Sequence, residues 1–289
     1  MLVQRMLGSL GFGLLCLLLG AEAEAKRIVA LAPSVTETLF AVGAGGEVVG
    51  VTDLSDFPAE AQQIERVGSY MRPNVEAVVA SRPDVVIAVP SPGNRESVEA
   101  LMDLGLRVVV VEEGPTIGAV FDSILRIAAE AGRAERGREL VRRLRQRIDD
   151  VRRRVAPFPR RRALMVVGEN PLVVVGSGNL LDELLRDAGA DNVASALGPW
   201  PRLSIEFVIK SSPEIIIDSS MGDEAADMSF YAGLDLEAVK RRRVHAVRLD
   251  EVLRPGPRLG DGLEKLARLI HPEAFAEASA TGAADGARP

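Results

Sequence analysis

The chain has 289 residues, 47% of them apolar and 26% charged, with a formal net charge of −6. That length serves one large core or two ordinary ones, and the composition is that of a folded globular protein. The negative balance gives no electrostatic basis for a nucleic-acid partner, and one cysteine, Cys16, excludes a disulfide within the chain.

Residues 1–25 read as a secretory signal peptide. MLVQRM carries one positive charge, LGSLGFGLLCLLLG is apolar but shorter than the ~20 residues of a membrane-spanning helix, and AEAEA offers small-residue cleavage points. A periplasmic mature protein follows, and Cys16 leaves with the signal. Leu14-Leu15 before Cys16 lacks the small residue expected ahead of a lipid-modified cysteine, which argues against a lipid anchor.

RIVALA (27–32) predicts a buried strand. PSVTETLFAVG (33–43) predicts a helix that Ser34 and Glu37 open at capping-box spacing and Gly43 closes. EVVGV, DVVIA (84–88) and RVVVV (107–111) read as further strands, with helices begun by Asn74 and near 95–104 between them. Short apolar runs alternating with amphipathic helices specify a mainly parallel sheet covered on both faces.

From Thr116 to Val155 apolar residues keep three-to-four spacing without any strand pattern. Gly132 and Gly137 are expected to break this helical connector, leaving a second helix from about Ala134 to Val155 whose arginines form a solvated face. The scheme then repeats: ALMVVG and LVVVG as strands, NLLDELLRDAG as a helix stopped by Gly189, and a helix begun by Ser204. EIIID, a helix near 235–242, VHAVRL and a helix over 257–270 complete it. The expected organisation is a signal (1–25), an N-terminal α/β lobe (26–115), a connector (116–156), a C-terminal α/β lobe (157–275) and a disordered Ala/Gly-rich tail (276–289).

The chain states one motif twice. YMRPNVEAVVASRPDVVI (70–87) aligns without a gap on WPRLSIEFVIKSSPEIII (200–217), an offset of 130 residues. Arg72, Glu76, Val78, Ser81, Pro83 and Ile87 are identical to Arg202, Glu206, Val208, Ser211, Pro213 and Ile217. A two-lobe duplication is the simplest source.

The repeat supplies the candidate residues. Tyr70 and Trp200 occupy matching loop positions, where ligands gather at the carboxyl ends of parallel strands, and are expected on opposite walls of one cleft. Glu76 and Glu206 fall in the first turns of their helices. The helix dipole favours an acid there, but the shared register suggests two acidic pegs for a symmetric partner. Ser34, at the head of the first helix, joins the ligand-binding candidates. His245 and His271 lie in no catalytic or metal-binding motif and are expected at a strand start and on the surface. VVVGSGNLL (173–181) imitates a dinucleotide fingerprint through Gly176 and Gly178 but has Leu181 in place of the third glycine, leaving a secreted α/β enzyme as a lesser alternative. No catalytic residue and no protein-built metal site is expected.

The segments RIVALAPSVTETLFAVGAGGEVVGVTDLSDFP, RVGSYMRPNVEAVVASRPDVVIA, GSGNLLDELLRDAGADNVA and PWPRLSIEFVIKSSPEIII carry a resemblance. Over roughly residues 26–272 the chain resembles the periplasmic substrate-binding proteins of ABC importers whose two lobes are joined by one rigid helix. That family captures vitamin B12, ferric siderophores and haem. The resemblance implies an α/β fold of two lobes, each a mainly parallel sheet flanked by helices, joined by one long backbone helix. It implies a monomer that is not an enzyme and has no intrinsic cofactor. Its transported ligand would be cobalamin, a related corrinoid or another metal chelate held in the interlobe cleft, with a ferric siderophore or haem as the alternative. The partner would be an ABC permease dimer in the inner membrane, docked through Glu76 and Glu206. Phe57, Tyr70 and Trp200 match cleft aromatics, and Arg254 lies in a matching cleft loop, EVLRPGPR.

Overall fold

The structure is a computed structural model that describes residues 26–219 and 229–276. The expected signal peptide (1–25) and the tail beyond Ala276, expected to be disordered, lie outside the described residues. Among these residues no helix is long and apolar enough to cross a membrane.

The first lobe runs β1 (Ile28–Ala30), α1 (Pro33–Ala41), β2 (Val48–Val51), α2 (Val75–Ala80), β3 (Val85–Ala88), α3 (Arg95–Asp103) and β4 (Val108–Val110). Its sheet has the order β2-β1-β3-β4 and is parallel throughout. Two connector helices follow, α4 (Ile117–Glu130) and α5 (Ala134–Val155), the second 22 residues long and so roughly 33 Å from end to end.

The second lobe runs β5 (Arg161–Glu169), β6 (Leu172–Val174), α6 (Leu180–Asp187), β7 (Ala190–Asn192), α7 (Ile205–Ser211), β8 (Ile215–Asp218) and α8 (Ser229–Ala232). α9 (Glu237–Lys240), β9 (Val244–Ala246), α10 (Asp250–Leu253) and α11 (Leu259–Ile270) complete it. β5 is flanked by β7 on one side and β8 then β9 on the other, all parallel, which reproduces the first sheet. The difference is β6, which pairs antiparallel with the far half of β5 through a tight turn at Asn170-Pro171.

Strand periodicity divides each lobe between two cores. Ile28, Ala30, Val85 and Ile87 of the first sheet and Ala163, Met165, Ile215 and Ile217 of the second point into one continuous core. That core is completed by α1, α4, α5, α6 and α11, whose Leu39, Ile124, Ile148, Leu184 and Leu263 are all buried. The alternate residues face private cores. Val29, Leu31, Val86 and Ala88 pack with Val78 and Leu101, whereas Leu164, Val166 and Ile216 pack with Val208 and Tyr231. Both faces of each sheet are thus covered, as the near-continuous apolar runs require.

The duplication extends to hydrogen bonds. Asn74 and Ser204 cap α2 and α7 by accepting from the backbone N–H groups of Ala77 and Phe207. Asp84 and Glu214 accept from the N–H groups of Arg27 and Arg162, whose side chains donate to the carbonyls of Ser81 and Ser211. Arg82 and Ser212, again 130 apart, both turn left-handed, at φ 44° and 43°.

Three expectations are corrected. Ser34 and Glu37 do not form a capping box: the cap position of α1 is Ala32, which makes no side-chain cap, and both polar side chains are buried in other contacts. Gly137 does not break the connector but lies inside α5, where a Cβ would stand 2.5 Å from that of Ala128, so it allows α4 and α5 to pack closely. Gly132, at φ 68°, makes the break by itself. His271 is fully buried, stacked on Phe158 with Nε2 3.1 Å from the Gly189 carbonyl and Nδ1 3.2 Å from Glu273.

Candidate functional site

The segments after β1, β2, β7 and β9 hold every ligand-binding candidate. They fall into three groups.

The first joins the lobes. Glu37, on α1, is 2% exposed, and Arg258, just before α11, grips it in two parallel hydrogen bonds: Nε donates to Oε2 at 2.8 Å and Nη2 to Oε1 at 2.6 Å. The Arg258 guanidinium also lies 4.2 Å from the ring centre of Phe57. One residue before that ring, Asp56 accepts from Arg254. Burial pushes the Glu37 carboxyl up, and Arg258 opposes that shift without cancelling it. Burial also works against the Asp56 charge, but the Arg254 hydrogen bond and charge hold that carboxyl below its ordinary range. Arg254 and Phe57 are therefore brought together, with Arg254 engaged in an interlobe ion pair and Phe57 44% exposed.

The second group surrounds Tyr70. Ser34 is buried and donates its hydroxyl to Glu113, in the loop after β4. The Tyr70 hydroxyl donates to the Pro90 carbonyl at 3.4 Å, while Asn94 Nδ2 donates to the Tyr70 carbonyl at 3.2 Å. Burial, then the nearby Glu113 charge, push the phenol up. Burial likewise pushes the Glu113 carboxyl up, against the Ser34 donation. Beyond Tyr70, a cavity of about 580 Å³ opens under Pro90 and Asn94 and is floored by Ala88, Val98 and Val110. It belongs to the outer face of the first lobe.

Trp200 forms the third, on the second lobe. Its loop is fixed from both sides: the N–H groups of Val174 and Gly176 donate to the carbonyls of Pro201 and Pro199 at 3.1 and 3.0 Å, and Asn179 Nδ2 donates to Pro199 at 2.8 Å. The indole itself is 52% exposed. Gly176 is required because a Cβ there would lie 1.9 Å from the Gly198 carbonyl. The dinucleotide-like G-x-G is thus occupied by the protein's own loop, and the turn that resembles a phosphate cradle instead supports a half-exposed aromatic ring. No ring contact among the described residues joins Trp200 to Tyr70.

Glu76 and Glu206 are both exposed in the first turns of α2 and α7. A hydrogen bond with Ser204 holds the Glu206 carboxyl below its ordinary range. Among the described residues no cluster of His, Cys, Asp and Glu has metal-binding geometry. Sequence reasoning missed Glu37, Asp56, Glu113 and Arg258 as site residues. The available signal was an acid amid the apolar run of α1, which the capping-box spacing explained away.

Two outcomes follow. Arg258→Ala leaves Glu37 buried without its partner and is expected to cost about 3 kcal/mol, the low end for a broken buried pair, because the guanidinium keeps 17% of its exposure. Urea unfolding measures this, and Glu37→Met with Arg258→Met should recover most of the loss. For Glu113, folding raises the carboxyl value, so stability present below the ordinary 4.5 is lost as pH rises through the folded value. Glu113→Gln should therefore melt higher than the parent at neutral pH and level with it below 4.5; an equal shift at both would contradict the assignment.

Comparison with known proteins agrees with this architecture. The periplasmic binding protein family model matches residues 28–247. The uncharacterised ABC transporter substrate-binding lipoprotein YvrC of Bacillus subtilis is 31% identical over 89% of this chain and 83% of its own length. A vitamin B12-binding protein of Vibrio cholerae is 29% identical over 92% and 96%. Among solved structures, the Vibrio cholerae periplasmic vitamin B12-binding protein BtuF superposes with a TM-score of 0.74 at 28% identity, covering 88% of this chain and 99% of that one. The apo haem-binding protein of Roseiflexus sp. RS-1 reaches 0.79 at 24% identity, covering 86% and 99%, a likeness of fold. The chain belongs to the periplasmic binding protein family, the substrate-binding components of ABC importers, and its role is to bind a solute for transport and not to catalyse a reaction.

Proposed function

We propose that the chain acts as a periplasmic monomer. It captures a bulky, flat metal-chelate cofactor, cobalamin or a related corrinoid, between its lobes and delivers it to a dimeric ABC permease that docks on Glu76 and Glu206. The observation that carries the ligand class is the Trp200 platform: an indole held half exposed by a loop hydrogen-bonded along its length. Such a ring is already ordered before the ligand arrives, so stacking on it costs little entropy and adds about 1 kcal/mol beyond area burial. Tyr70 at the matching repeat position and exposed Phe57, Leu54 and Met71 on the first lobe supply the facing apolar rim. Ser34 lies behind that rim and acts through Glu113, and Arg254 acts by holding the Phe57 loop through Asp56. The named vitamin B12-binding relatives support the same class.

A ferric siderophore or haem is the second reading. Ferric haem coordinated by Tyr70 would need the phenolate, and burial together with Glu113 opposes that ionisation. This favours stacking over ligation as the use of the ring.

Calorimetry and desalting with cyanocobalamin and haem test the assignment. The protein should retain the red corrinoid, and Trp200→Ala should weaken binding by about tenfold, equivalent to ~1.4 kcal/mol, with an unchanged melting temperature. Retention of haem but not cyanocobalamin would overturn the corrinoid reading.

A further inference from the structure

α2 and α7 carry a second matched pair that neither the cores nor the cleft rim employs. Val79 is 42% exposed and Ile209 44% exposed. They are 130 residues apart, the offset of the repeat, and each follows its glutamate by three positions. Residues at that spacing are neighbours on a helix surface. The inward side of each helix is already satisfied by Val78 and Val208, at 0% and 2% exposure.

Single exposed apolar residues are ordinary on protein surfaces. A matched pair is different. Helix propensity does not favour β-branched side chains at exposed positions, where Ala, Lys or Glu would serve the helix better. The caps, the left-handed exits at Arg82 and Ser212, and the ties from Arg27 and Arg162 hold both helices in the same local frame. Arg72 and Arg202, both exposed, complete the correspondence. Each lobe therefore displays one patch of an acid beside an apolar knob, and the two patches are copies.

We propose that Val79 and Ile209 are the apolar half of a duplicated docking contact. Each seats in a shallow apolar recess on one subunit of a two-fold permease, next to the cationic group that receives Glu76 or Glu206. The inference rests on the docking reading of those glutamates. Two copies of a patch on one chain fit a partner that presents the same socket twice, which is the geometry of a C2 dimer. The two halves of the contact do different work: charge sets the encounter rate and its salt dependence, while a dehydrated apolar contact sets how long the complex lasts.

Kinetics on the importer's own permease dimer in lipid nanodiscs separate them. Val79→Ala with Ile209→Ala should raise the dissociation rate about tenfold while leaving the association rate and its salt slope within about twofold. The melting temperature should not change, since both side chains lie outside the cores. Glu76→Ala with Glu206→Ala should instead slow association and flatten its salt dependence. If the glutamate variant behaves so and the alanine variant dissociates at the parental rate, the apolar contact is refuted and the docking face stands. If neither variant differs from the parent, the docking face itself is refuted, and this inference with it.

Discussion

The constraint on which the rest of the structure depends is the core shared by the two lobes. A layer of five helices, α1, α4, α5, α11 and α6, backs one face of both sheets, so that Ile28 and Ile87 belong to the same apolar cluster as Met165 and Ile217. Opening or closing the lobes through a wide angle would tear that cluster and expose Ile124, Leu144, Ile148 and Leu263 to water, at about 25 cal/mol for each Å² uncovered. The Glu37–Arg258 pair reinforces the constraint from the polar side. It lies at the lobe junction, and a carboxylate 2% exposed cannot leave its guanidinium without either gaining a proton or dragging in solvent. The lobes are held at a fixed angle by an apolar seam and a buried ion pair together.

Within that frame, one short unit is used twice. In each lobe a loop ring, a cap residue and a first-turn glutamate occur within seven residues, from Tyr70 to Glu76 and from Trp200 to Glu206. The proposed ligand wall and the proposed docking face are therefore opposite ends of the same loop-helix segment, fixed by the same caps and by the same ties to the sheet. With no wide closure to signal occupancy, the proposed docking would present the permease with a rigid pair of patches at a set separation. Ligand release in this reading depends on the permease working against the lobes and not on a spontaneous hinge.

The local part of this was legible in the sequence. Asn74 and Ser204 announced their helices, alternating apolar runs announced both sheets, and the 130-residue offset announced the duplication, because each depends on chain neighbours within a few positions. What was hidden depends on residues far apart. Glu37 and Arg258 are separated by 221 positions, and nothing near either of them reveals the other. Ser34 and Glu37 matched a capping-box spacing by coincidence, since Pro33 opens α1 and both polar groups are drawn into contacts with Glu113 and Arg258. Gly137 was read as a helix breaker and Gly176 as part of a dinucleotide fingerprint, whereas each is needed because another part of the protein, Ala128 or Gly198, approaches where a side chain would stand. The β6 hairpin was legible as a strand but not as an antiparallel one, because the turn at Asn170-Pro171 sets its direction and the apolar pattern does not.

Spin labels on each lobe measure the shared-core constraint directly. With Leu104→Cys and Lys210→Cys labelled in the chain without residues 1–25, pulsed dipolar spectroscopy reads the separation with and without bound cyanocobalamin. Lobes fixed by one core keep the distance within about 2 Å. A ligand-induced shortening well beyond that would show a closing hinge and contradict a common core joining the two sheets.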